Sequence, residues 1–178
     1  MGAELQLRLA GDTDLERRVG ALVTGFEDTE ALAEILGMYL ESSTIERFEN
    51  ETGPDGEKWE PSQRAIEDGG KTLTDSAQLK GSIHSEASDG AVRWGSNKIY
   101  ARPHQDGFDG TVSVGAHTRT ITQAFGKALP GGLNVEVASF ERKANLPRRA
   151  FLGINAEDEA ELVALTEDYA ADLIGGAA

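Results

Sequence analysis

Residues 29 to 49 carry a helical period long enough to constrain everything packed around it. Leu32, Ile35, Leu36, Tyr39, Ser43 and Phe48 recur at spacings near three and four, the mark of one apolar helix face. Thr29 stands at the N-cap position, and Glu30, Glu34, Glu41 and Glu49 are expected on the outer face. Some 20 residues make roughly 30 Å of helix, enough for the spine of a domain.

The rest of the chain is arranged in shorter pieces. Residues 4 to 9 alternate as a half-buried strand. Asp12 or Thr13 opens a short helix through Leu15, Val19, Leu22 and Val23, expected to be interrupted at Gly25. Residues 50 to 72 read as turns. Residues 73 to 80 suggest one or two helical turns begun by Thr74 or Asp75. Segments 82 to 88 and 91 to 97 form a hairpin about Asp89-Gly90, with Val92 and Trp94 on one face. Residues 98 to 110 are turn-rich. Residues 111 to 123 read as a long strand, 124 to 134 as its turn and 134 to 141 as its return. The final helix spans 155 to 174, with Asn155 as N-cap, Glu157, Asp158 and Glu159 at the positive dipole end, and Gly175 and Gly176 as its stop.

The expected organisation is therefore α+β. A small antiparallel sheet packs on the long helix in a core of residues 1–110 and 143–178, with a C-terminal helix. An inserted β-ribbon arm covers residues 111–142.

Charge sharpens the role of that arm. The chain of 178 residues carries a formal net charge of −14. Residues 111 to 150 nevertheless hold Arg119, Lys127, Arg142, Lys143, Arg148 and Arg149 against Glu136 and Glu141, a net of +4, which leaves −18 on the remainder. An acidic body of this strength disfavours phosphate backbones. A basic arm on an acidic body instead suits contact with a copy of itself, and head-to-tail contacts of that kind close into rings when the rotation allows. Only Phe125 and Phe140 lie near the arm's ends, a thin basis for stacking single-stranded bases.

Chemistry-bearing motifs are sparse. No cysteine is present, so thiol nucleophiles, disulfides and Cys-based zinc sites are excluded. No apolar run reaches the ~18 residues of a membrane span, and no signal peptide is expected from the opening residues. G-x-S-x-G and the phosphate-loop pattern are both missing. His84, His104 and His117 lack helical two-His spacing. His104 with Asp106 is the one arrangement that suggests acid–base or metal chemistry; the plainer reading is that His104 and Gln105 brace the turn that launches the ribbon. The paired carboxylates sit beside helix starts, where dipole complementation explains them better than glycosidase chemistry.

Five strings in order resemble the Mu-like phage virion morphogenesis family, also called phage tail completion proteins. They are Phe48 closing the long helix, Pro54 to Ser62 (PDGEKWEPS), Leu73 to Ile83 (LTDSAQLKGSI), Ile99 to Gly107 (IYARPHQDG) and Leu146 to Ile154 (LPRRAFLGI). The resemblance covers almost the whole chain. It implies a structural virion protein with no catalytic residues and no cofactor, assembled in the bacterial host cytoplasm and resident at the head–tail junction. The implied function is tail completion: a neck component forming a sixfold ring at the tail top. The implied partners are further copies of itself, the tail tube or terminator, and the head connector or stopper. DNA would meet it only by passing through the ring lumen. A tail terminator, or a capsid-assembly factor not retained in the virion, is the alternative. On this reading Trp59, Leu73, Leu79, Ile99, Tyr100, Phe151 and Leu152 are core or near-core. Arg119, Lys127, Arg142, Lys143, Arg148 and Arg149 are candidates for contacts between neighbours.

Overall fold

The spine helix, α2 in the computed structural model, runs Glu30–Asn50. The structure describes residues 13–27, 29–88, 90–124 and 126–175. The expected strand at 4 to 9, the cap at Asp12, and Asp89, Phe125 and Gly176 lie outside the described residues. Contacts divide the chain into two compact units, Met1–Ala101 with Ala150–Ala178, and Arg102–Arg149.

In the first unit, α2 receives a hairpin on one side and the last helix on another. Strands β1 (Ile83–Ser88) and β2 (Ala91–Ser96) pair antiparallel from Ile83↔Ser96 to Ser88↔Ala91. Gly90, at φ 69°, supplies the left-handed residue such a tight turn needs. Both strands pack on α2. Gly37 permits this approach, because a Cβ there would sit 2.6 Å from the Ser85 hydroxyl. Glu41 faces the hairpin too, and its carboxylate accepts the Ser85 N–H. It is half-buried, not on the outer face as its charge suggested.

Helix α1 (Thr13–Glu27) packs against the C-terminal helix α5 (Ala156–Gly175). It continues through Gly25, which does not interrupt it. A side chain at Gly25 would run into Leu173, so this glycine serves close helix–helix approach rather than termination. Helix α5 ends at Gly175, as its last residue.

The core centres on Phe48, Trp59, Leu79, Ile83, Ala101 and Phe151, with Leu73 and Leu152 packed against them. The Phe48 ring meets Trp59 edge-on at 5.4 Å and Phe151 at a tilt at 5.3 Å, both within the range of favourable aromatic pairs. Trp59 Nε1 donates to the Ala150 carbonyl at 2.9 Å, so the ring is buried with its polar atom satisfied. Two expected core residues are outside it: Ile99 is 93% exposed and Tyr100 also faces solvent. They form the turn before α4 (Ala101–Asp106), in which Ala101 N–H closes on the Lys98 carbonyl and Ala101 takes the buried place.

Short elements depart most from expectation. Residues 73 to 79 form no helix, since Leu73 and Ala77 adopt φ of 61° and 56°; only a 3-10 turn at Lys80–Ser82 follows. The presumed turn region contains α3 (Gln63–Asp68), whose N-cap Ser62 accepts the Ala65 N–H at 3.2 Å.

The second unit is dominated by a two-stranded ribbon. Strand β3 (Phe108–Val114) pairs with β6 (Phe140–Leu146), and β4 (His117–Ala124) pairs with β5 (Lys127–Val137), all antiparallel. Pairing runs from Phe108 to Leu146, beyond both expected limits of 111 and 142. The end turn is confined to the residues between Ala124 and Lys127, with Gly126 at φ 73°. The expected longer turn at 124 to 134 is instead mostly strand. Pro130 falls between the pairs Gln123↔Ala128 and Ile121↔Leu133, in the stretch left unpaired by the register shift, a place where strands tolerate proline. Gly131 and Gly132, at φ 84° and 69°, take up extra residues opposite the register shift between Ile121 and Gln123.

Candidate functional site

Side chains directly opposed in an antiparallel pair share a face, and faces alternate along each strand. In the base half of the ribbon, Val112 opposes Arg142, Val114 opposes Phe140 and Phe108 opposes Leu146, which places these six on one face. In the tip half, Arg119 opposes Val135, Ile121 opposes Leu133 and His117 opposes Val137. The residue count is preserved between Val114↔Phe140 and His117↔Val137, although residues 115–116 and 138–139 are unpaired. The apolar set therefore moves from even to odd positions of the outgoing strand. The base and tip pairs are separate two-stranded sheets, each with an apolar face of its own.

The cations follow this division. Arg142 shares the apolar face of the base, and Lys143, opposite Thr111, lies on the other. Arg119 shares the apolar face of the tip, and Lys127 stands at the end turn opposite Ala124. All four are exposed, and among the described residues none enters a salt bridge. The two remaining arginines differ. Arg148 is exposed, whereas Arg149 is only 5% exposed and so does not offer the open cation expected of a neighbour contact.

Arg149 belongs to the ribbon's root. Its N–H donates to the His104 carbonyl at 2.8 Å, joining α4 at the entrance to the segment leaving the ribbon. Gly107, at φ 79°, lies so close to the outgoing chain that a Cβ would be 3.2 Å from the Arg148 nitrogen. Gln105 is half-buried in the same short helix. Burial, followed by the charge of Arg149, lowers the His104 pKa below the usual histidine value. Its Nδ1 is buried without a hydrogen-bond partner among the described residues. Asp106 instead pairs with Arg102 at the surface, at 3.3 Å, so the structure does not join His104 and Asp106 as a dyad. Among the described residues no group of three or more His, Asp or Glu side chains is placed to hold a metal, and no helix is long and apolar enough to cross a membrane.

Two features of the first unit were not expected from sequence. One is a buried polar cluster. Arg47 donates to the carbonyls of Phe151 and Gly153 at 3.0 and 2.8 Å and to the Asp158 carboxylate. Asp158 also accepts from Ser43, from Tyr39 at 3.1 Å and from the Asn155 N–H at 2.9 Å, while Asn155 Oδ1 accepts the Asp158 N–H at 2.8 Å. The last two bonds make a reciprocal capping box that starts α5. Burial pushes the Asp158 pKa up, but its hydrogen bonds from Ser43 and Asn155 and the Arg47 charge outweigh that and hold it below the usual carboxylate value. Tyr39 is pushed up to about 12, by burial first and by its bond to Asp158 second. The acidic run at the start of α5 predicts a dipole partner alone; the Asn155-x-x-Asp158 spacing is the sequence signal for the box.

The other feature is an apolar groove of about 460 Å3, lined by Leu36, Val92, Trp94, Ile154, Leu162 and Val163, with Glu167 at its margin. Ile154 and Val163 are exposed there, Val163 by 58%.

A family sequence model, that of the phage virion morphogenesis family, matches residues 10–170. The chain belongs to this family. Comparison with curated proteins and with solved structures gives no match. Membership in the phage virion morphogenesis family makes this chain a bacteriophage protein of virion assembly. The match takes in α2, the hairpin, the whole ribbon and most of α5.

Proposed function

We propose that this virion morphogenesis protein completes the phage tail. Copies associate as a ring at the tail top, sixfold in keeping with tail symmetry, and the finished ring enables joining to the filled head. The supporting observation is the ribbon from Phe108 to Leu146, with exposed Arg119, Lys127, Arg142 and Lys143 that form no salt bridge among the described residues, on an otherwise strongly acidic chain. A two-stranded arm is marginal alone in water, so a surface that receives it adds to its stability. Many weak ionic contacts recurring around a ring reinforce one another, although each exposed pair contributes little. In this role the chain acts as a structural part, not an enzyme. It contacts the tail tube or terminator on one side and the head connector or stopper on the other, and DNA only passes through the lumen.

Electron microscopy of lysates from the parent phage lacking this gene tests the proposal. Full heads beside unjoined tails of normal length are expected. Tails of abnormal length would favour a terminator, and malformed heads a capsid-assembly factor. Normal infectious particles would refute a role in assembly.

A further inference from the structure

We infer that the tip half of one copy's ribbon seats in the apolar groove of a second copy, between α2, β2 and α5. The inference rests on the proposal that copies associate, and it names the surface that receives the arm. Each side leaves apolar surface open in the single chain. On the ribbon this is the face of Ile121, Leu133 and Val135, with Leu133 56% exposed. In the groove it is chiefly Ile154 and Val163.

Charge selects this occupant. Arg119 lies on the same ribbon face as Leu133 and Val135, and Lys127 stands at the adjoining end turn. Glu159 and Glu167 flank Val163 one helical turn away on either side, both exposed, with Glu167 lining the groove. A cationic strand pair with an apolar face thus meets an apolar groove with an anionic margin. The two surfaces are different parts of the chain, so the contact is head-to-tail and propagates from copy to copy, as a ring requires. Arg142 and Lys143 belong to the base pair β3–β6 and not to the tip pair β4–β5, so they lie outside this contact.

Engineered cross-linking tests the docking, because the chain has no native cysteine. The full-length Leu133→Cys/Val163→Cys double variant is oxidised under mild conditions and run on non-reducing denaturing gels beside each single variant. A ladder extending past the dimer is expected from the double variant, whereas each single variant stops at the dimer or below. If the wild type sediments as a multimer but the double variant gives no ladder, the docking is wrong and association stands. A monomeric wild type with no ladder removes both. An internal disulfide, seen as a faster-running monomer, would place the chain's own ribbon in the groove and overturn the inference.

Discussion

The Arg47 guanidinium, on the buried face of α2, bonds the Asp158 carboxylate in the first turn of α5, joining residues 111 positions apart in the chain. Both side chains are almost fully enclosed, Asp158 being 2% exposed. The same carboxylate caps its own helix through Asn155. One residue therefore fixes both where α5 begins and where it lies on α2.

Removing one partner of this pair leaves a buried charge uncompensated. Asp158→Ala should destabilise the fold by about 3–5 kcal/mol. The Arg47→Met/Asp158→Leu double variant should recover only part of that loss: no charge remains buried, but the Phe151 and Gly153 carbonyls lose their donor. Urea denaturation of the three proteins measures it. A single-variant loss below about 1 kcal/mol would show that the pair is solvated.

Acid should weaken the fold through the same residue and through Glu49. Lys71 and Lys80 bond Glu49 and lower its pKa from 4.5 to about 2, and Asp158 is also lowered from 3.8. A carboxylate depressed in the folded state stabilises at pH above its unfolded value, and that contribution is lost as pH falls through the folded value. The urea midpoint should hold nearly level above about pH 7, decline as pH falls below the usual histidine value because buried His104 resists protonation, and fall further between about pH 4.5 and pH 2. The fall should be shallower in Glu49→Gln. An equal slope in that variant would remove Glu49 from the account.

Trp59→Phe keeps a ring beside Phe48 but deletes the N–H bound to the Ala150 carbonyl. A buried acceptor left unpaired costs about 1–3 kcal/mol. Thermal or urea unfolding reads this directly, and a neutral substitution would mean that the carbonyl finds another donor.

Ile99 separates the fold observed from the one expected. At 93% exposure, Ile99→Ser should change stability by no more than about 0.5 kcal/mol. A loss of about 2 kcal/mol or more would instead return Ile99 to the core.

These cases show what was legible in the sequence and what was not. Helix α2, the hairpin about Gly90 and the Asn155 start of α5 depend on period, turn chemistry and capping, all of which are local. Helices α3 and α4 are six residues each, too short to show a period. Pro130, Gly131 and Gly132 resemble a turn in sequence because the register shift that accommodates them is set by pairing with β4 and not by local sequence. Arg149 looked like a surface cation because burial is set by tertiary packing, and Arg47 passed unnoticed for the same reason. The strong charge contrast between arm and body needs no structure, but the change of the apolar set from even to odd positions along the arm appears only with the register.

The central claim is that the ribbon's cations hold copies together. Native mass spectrometry of the wild type and of Arg142→Glu/Lys143→Glu, with circular-dichroism melting of each, tests it most directly. The account predicts a wild-type multimer and a variant of lower mass that still shows a cooperative melting transition. A multimer of the same mass in the folded variant, or a wild type that remains monomeric at assembly concentrations, would contradict it.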